Sequence, residues 1–166
     1  SPSDIATVQG DSNLQLVAQD NPNVLYFGFT NTFAPFDDVR VRQAIAMGID
    51  RQRIVDNFYP AGSEVASHFT PCSIANGCEG DAWYDFDPEA GRALLAEAGF
   101  PDGFETSIYY RDASRPYVLE PSRVAVELQT QLAENLGITA EVVVMESGEF
   151  ISASTSSDFE TFQRCV

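Results

Sequence analysis

One stretch constrains this chain more than any other: Pro35-Phe36-Asp37-Asp38-Val39-Arg40-Val41-Arg42-Gln43-Ala44-Ile45-Ala46-Met47-Gly48-Ile49-Asp50-Arg51-Gln52-Arg53-Ile54-Val55. Val41, Ala44, Ile45, Gly48 and Ile49 recur at i, i+3, i+4, i+7 and i+8, which is one face of a helix. Asp37 is the expected N-cap, because a carboxylate there accepts from the free amides of the first turn. Phe36 then falls at N′ and Val41 at N4, the spacing of a hydrophobic staple. Asp50 is expected to cap a second, shorter helix carrying Ile54, Val55 and Phe58. The segment must therefore bury one side of a helix pair against a core supplied by the rest of the chain. Its residues read as scaffold, with no direct chemistry.

The rest of the chain alternates strand and helix signals. Residues 1–23 are polar and predict a short helix or loop, then a brief strand over 14–18. Residues 24–30 (Val-Leu-Tyr-Phe-Gly-Phe-Thr) are aromatic and β-prone, a strand. Residues 60–86 are a long loop rich in Gly, Pro, Ser, Asn and Cys, for which Trp83 and Tyr84 are expected to form a hydrophobic plug. Asp87 and Pro88 start the next helix as N-cap and N1. Ala90, Ala93, Leu94 and Ala98 are its expected buried stripe, and Gly99 ends it with Phe100 folding back on Leu95 in a Schellman motif. A strand is predicted over 104–110, a polar loop over 111–120, and a helix over 122–136 in which Val124, Leu128, Leu132 and Leu136 fall at i+4 steps. Residues 138–145 contain Val142-Val143-Val144 and predict a buried strand; 148–154 predict a short helix and 159–162 a last strand. This alternation is α/β, or α+β-like, with a mixed sheet covered by helices.

Composition narrows the function. The net charge is −16, from 25 acids against nine bases, every base an arginine. Such a surface disfavours nucleic acid, whose phosphates need clustered cations, and anionic membrane surfaces. The apolar runs fall far short of the roughly 18 residues that span a bilayer, and Ser1-Pro2-Ser3-Asp4 has neither the basic start nor the apolar core of a signal peptide. No direct membrane insertion is expected. There is no G-x-S-x-G, and without lysine no phosphate-binding G-x-x-x-x-G-K-[ST] loop. Capping accounts for Asp37-Asp38 better than general acid–base work does.

Three cysteines remain, Cys72, Cys78 and Cys165. Asn76-Gly77 is a turn signal, so the chain can double back and bring Cys72 towards Cys78. Together with His68 these two could form a disulfide, a metal site or a thiol–imidazole pair. The spacing fits no familiar zinc motif, and a metal is not expected.

The Pro35–Val55 stretch resembles the signature of the family 5 extracellular solute-binding proteins, the receptors of peptide, dipeptide and nickel ABC importers. Members read close to N-T-x-x-x-P-F-D-D-V-R-V-R-Q-A-x-x-x-A-I-D-R-x-x-I-V. Leu94-Leu95-Ala96-Glu97-Ala98-Gly99-Phe100-Pro101-Asp102-Gly103-Phe104 is a second match, to Y-D-P-E-K-A-K-A-L-L-A-E-A-G-Y-P-D-G-F. The last third is looser: Glu146-Ser147-Gly148-Glu149-Phe150 stands where the family often has E-W-G-x-Y. The resemblance implies one lobe of a two-lobed periplasmic-binding-protein-like fold. Residues 1–23 would be the incoming hinge-proximal segment and 24–166 the lobe, cut from a longer receptor and ending before an Asp-containing segment that holds a peptide's amino group.

The resemblance also implies an extracytoplasmic location and no enzymatic activity or cofactor. The implied partners are a peptide or other small solute and the ABC permease subunits. The alternative is the ligand-sensing domain of a regulatory protein with the same fold. In an exported protein a Cys72–Cys78 disulfide is the first choice. Dipeptide receptors have a similar R-P-Y where this chain has Arg115-Pro116-Tyr117, and there an arginine meets the ligand carboxylate. The expected ligand-binding residues are Arg115, with Tyr117 beside it and Arg123 behind, and Tyr109 and Arg111 in the same stretch. Arginine pairs bidentately with a carboxylate and tyrosine adds a flat face and a hydroxyl.

Overall fold

The computed structural model describes residues 2–17, 22–155 and 163–165. Its elements are α1 (Pro2–Gly10), β1 (Phe27–Phe29), α2 (Val39–Gly48), α3 (Arg51–Phe58), α4 (Pro88–Glu97), β2 (Glu105–Arg111), α5 (Pro121–Leu136), β3 (Thr139–Met145), α6 (Ser147–Thr155) and β4 (Gln163–Cys165). Among the described residues the strands form one mixed sheet in the order β1-β4-β2-β3. β2 runs parallel to β3 and β4, and β1 is antiparallel to β4. Parallel neighbours need a crossover, and α5 provides it between β2 and β3. This is the mixed sheet covered by helices that the strand and helix signals predict.

The core lies between α5 and one face of the sheet, and between α5 and the helices packed on it. Val124, Leu128, Leu132 and Leu136 face inwards as their i+4 spacing predicts. Ile108 of β2 and Ala140 of β3 meet them from the sheet, and Val41, Ala44 and Ile45 of α2 and Leu95 of α4 join the same cluster. α2 and α4 approach closely because position 91 has no side chain. A Cβ on Gly91 would lie 2.9 Å from the Ala44 carbonyl oxygen. That contact turns Gly91 and Leu95 inwards, with Leu94 and Ala98 at the margin, and leaves Ala93 exposed, contrary to the stripe expected. The end of α4 is as predicted. Gly99 takes φ +97°, its amide donates to the Ala96 carbonyl at 3.1 Å, and the Phe100 amide donates to the Leu95 carbonyl at 2.8 Å, which is the Schellman pairing.

The cap of α2 is Asp38, one residue later than expected. Its Oδ1 accepts from the Arg40 amide at 2.8 Å, and its carboxylate also takes the Arg40 guanidinium, Nη2 at 2.6 Å. Two adjacent aspartates offer two caps, and the Arg40 side chain decides between them. Phe36 moves to N″ and Val41 to N3, yet both stay buried, at 2% and 0% exposure. Asp50 caps α3 as predicted, accepting from the Arg53 amide at 2.9 Å.

The Arg40 side chain first, and its amide second, hold the Asp38 carboxyl below its ordinary range. A lowered folded pKa gives stability that is present above the unfolded value near 3.9 and lost as pH falls through the lower folded value. Asp38→Asn is therefore expected to flatten the acid limb of thermal stability against pH. An unchanged slope in scanning calorimetry would contradict this.

Three strand expectations change. Residues 14–17 form no strand, and Leu14, Leu16 and Val17 are 53%, 50% and 65% exposed; Ala18 lies outside the described residues. β1 covers three residues, shorter than the 24–30 expected, and pairs with the described residues Gln163 to Cys165 of β4. Val142-Val143-Val144 is not fully buried: β3 is an edge strand, and Val144 is 56% exposed. The strand expected at 159–162 lies outside the described residues. The short helix predicted at 148–154 is α6.

Candidate functional site

β2 and β3 end together, with Arg111 opposite Met145. Side chains alternate along a strand. Ile108 and Tyr110 therefore point to the α5 core, and Tyr109 and Arg111 to the other face, where α6 lies against β2. Phe150 of α6 is buried there at 2% exposure, with the Arg111 guanidinium 5.9 Å from its ring centre. Glu146 fixes the start of α6. Its carboxylate accepts from the Gly148 and Glu149 amides at 2.7 and 3.1 Å. Between the strand ends and α6 opens a cavity of about 370 Å³ lined by Arg111, Asp112, Ala113, Val144, Met145, Glu146 and Ser147. The carboxyl ends of parallel strands are where open α/β sheets take ligands.

The arginines of this region differ in what they are bonded to. Arg111 donates to the Tyr117 hydroxyl at 2.8 Å and to the Ser147 hydroxyl at 3.4 Å. Among the described residues, the Arg115 guanidinium makes one hydrogen bond, at 3.4 Å to the carbonyl of its neighbour Ser114. Neither is paired with a described carboxylate. Arg40, Arg53 and Arg123, in contrast, are bonded to Asp38, Glu127 and Glu120. Among the described residues, the Arg42, Arg51 and Arg92 guanidinium groups also bond only to neutral partners, all backbone carbonyls. What sets Arg111 and Arg115 apart is that they lie on adjoining segments beside the strand ends, where an anion from outside could reach both.

The loop carrying Arg115 is held rigidly. Arg115 and Val118 exchange amide-to-carbonyl bonds at 2.9 and 3.0 Å, closing a turn with Pro116 at its first central position, where a fixed φ suits it. Val118 is buried, and the Tyr59 hydroxyl donates to the Tyr117 carbonyl at 2.6 Å. The structure thus brings Arg111 and Tyr117 into contact, places Tyr109 on the same strand face as Arg111, and sets Arg115 on the adjoining turn. Arg123 stands apart from this network. It is bonded to Glu120 at 2.6 Å and lies over the Phe58 ring at 5.3 Å. Ser147, visible in the sequence only as a departure from an expected tryptophan, joins the site through Arg111. Burial, and then the Asp112 charge, raise the Tyr110 hydroxyl above its ordinary pKa.

The long loop is anchored by polar contacts. Trp83 and Tyr84 are 47% and 39% exposed and do not plug the fold. Gln43 donates to the Tyr84 hydroxyl at 2.6 Å, and Arg51 donates to the Tyr84 carbonyl. Cys72 and Cys78 are disulfide-bonded, with Cα atoms 4.9 Å apart. The turn between them runs through Ile74, whose carbonyl accepts from Gly77 at 2.8 Å, and Asn76 takes φ +63°. This is the pairing expected.

Comparison with known proteins agrees with this architecture. Residues 1–164 match the model of bacterial extracellular solute-binding proteins, family 5 Middle. Heme-binding protein A of Haemophilus influenzae is 33% identical over 147 residues, 89% of this chain and 27% of its own length. The dipeptide-binding protein of Escherichia coli K12 is 29% identical over 160 residues, 96% of this chain and 30% of its own length. The solved structure of HbpA2 from Haemophilus parasuis superposes with a TM-score of 0.83 at 33% identity, over 98% of this chain and 32% of that one.

The fold is that of one lobe of a solute-binding protein, and the chain belongs to the family 5 extracellular solute-binding proteins. It spans about a third of the length of the relatives it matches. The extracytoplasmic setting of that family accords with the Cys72–Cys78 bond.

Proposed function

We propose that this chain supplies one wall of the ligand site of an ABC importer's receptor, and that Arg115 and Arg111 read the carboxylate of a peptide. The observation that carries the reading is the pair of arginines, without a carboxylate partner among the described residues, on adjoining segments beside the strand ends. Tyr117 orients Arg111 and offers its ring to the ligand; Tyr109 lines the same face. Arg123, neutralised by Glu120, has a lesser part. Residues 1–23 enter from the hinge and 24–166 form the lobe. Closure of a second lobe over the ligand stabilises the closed state, which the permease subunits recognise. The mechanism needs no covalent chemistry. A disulfide favours this role over that of a sensor domain in a cytoplasmic regulator.

A carboxylate is common to peptide C-termini and to haem propionates, so the experiment separates them. In a receptor containing this chain, a dipeptide and its C-terminal amide are titrated in parallel with haem. The reading expects the free acid to bind at least about 30-fold more tightly than the amide, the lower end of what losing a buried charge pair costs. Equal affinities, or saturation by haem alone, would contradict it.

A further inference from the structure

We propose that the Cys72–Cys78 loop is a redox-gated site for a thiophilic metal cation: closed while the disulfide is intact, and able to take Zn²⁺ once it is reduced. His68, Cys72 and Cys78 present ligand atoms that all lie within 4.8 Å of one another. The imidazole is already oriented for this. Its Nε2 lies 3.2 Å from the Gly80 carbonyl, and donation there carries the proton on Nε2. The lone pair is left on Nδ1. Metal-bound histidines commonly make this kind of bond through the nitrogen that is not ligated. The Ser67 hydroxyl lies 2.9 Å from Nδ1 and 4.0 and 3.9 Å from Cys72 and Cys78 Sγ, and a metal ion held by Nδ1 would displace it.

A cavity of about 240 Å³ opens beside this group, with Glu79, Asp81 and Trp83 in its lining. It leaves room for a carboxylate or a water as fourth ligand. Two thiolates and one imidazole suit zinc, and catalytic zinc sites keep a fourth position open in the same way. Tetrahedral zinc holds such atoms about 3.5 Å apart. The sulfurs must separate and the imidazole must close in, both within residues 60–86, where there is neither helix nor strand.

The chemistry balances with a dithiol reductant. Its two thiols are oxidised to a disulfide as Cys72–Cys78 is reduced to two thiols, with two electrons and two protons transferred. Zn²⁺ then displaces both thiol protons to the solvent, as metal binding to cysteine requires. With the disulfide intact, this loop offers the imidazole and the neighbouring Glu79 and Asp81 carboxylates but no thiolate.

The test uses the chain itself with Zn²⁺ as the sole probe, titrated anaerobically against a chromophoric competitor before and after reduction. Co²⁺ gives a second readout through its thiolate charge-transfer band. The expected result is one zinc per reduced chain and none retained by the oxidised chain. Cys72→Ser should abolish binding and the band, and His68→Gln should weaken binding at least about tenfold. Circular dichroism shows that each variant is folded. Stoichiometric zinc on the oxidised chain, no zinc on the reduced chain, or full affinity in folded His68→Gln would overturn the proposal.

Discussion

Leu132→Ala is expected to lower the stability of the chain by about 2–5 kcal/mol. Leu132 is 0% exposed and sits midway along the inner face of α5, in the cluster that joins the sheet to α2 and α4. The loss combines the transfer energy of the removed atoms with the cavity they leave. Collapse of that cavity is opposed on two sides, by Ile108 of β2 and by the helices that Gly48 and Gly91 allow to pack closely against Leu136. Chemical denaturation followed by circular dichroism measures the effect as a fall in midpoint at unchanged slope. A change below about 1 kcal/mol would show that α5 is not the centre of the core.

The second large effect concerns the ligand. In a receptor containing this chain, Arg115→Ala is expected to cost about 2–5 kcal/mol of peptide binding, because a carboxylate buried by lobe closure loses its cation. Arg123→Ala is expected to have a much smaller effect, since Glu120 already neutralises that guanidinium. Titration of both variants with one dipeptide separates the two arginines. Equal losses, or a larger one at Arg123, would relocate the site.

Much of this was legible in the sequence because it is local. The i+4 leucines of α5, the Asp50 and Asp87 caps, the Gly99 ending of α4 and the Asn76-Gly77 turn each depend on neighbours within a few residues. What the sequence did not settle depends on distant partners. Asp38 rather than Asp37 caps α2 because Arg40 reaches back to it. Ala93 faces solvent because Gly91 sets the rotation of α4 against α2.

Gln131 gave no signal at all. It is fully buried, accepting from the Asp50 amide at 2.6 Å and donating to the Asp50 carbonyl at 3.3 Å, so it ties α5 to the α2–α3 junction. The site divides in the same way. Arg111, Arg115 and Tyr117 were nameable from their types, but only the fold separates Arg123 from them and brings in Ser147.

The most direct test of the central claim is calorimetry of this 166-residue chain alone against mixed di- and oligopeptides. A wall open to water gives each Arg–carboxylate pair roughly 0–1 kcal/mol. Two such pairs fall short of the ~4 kcal/mol that even millimolar affinity requires, and ordering a flexible peptide adds to the cost. The account therefore predicts a folded chain with no saturable heat at or below millimolar peptide. A micromolar, saturable signal abolished by Arg115→Ala would show that the site is complete within this chain, and that reading it as one wall of a two-lobed receptor is wrong.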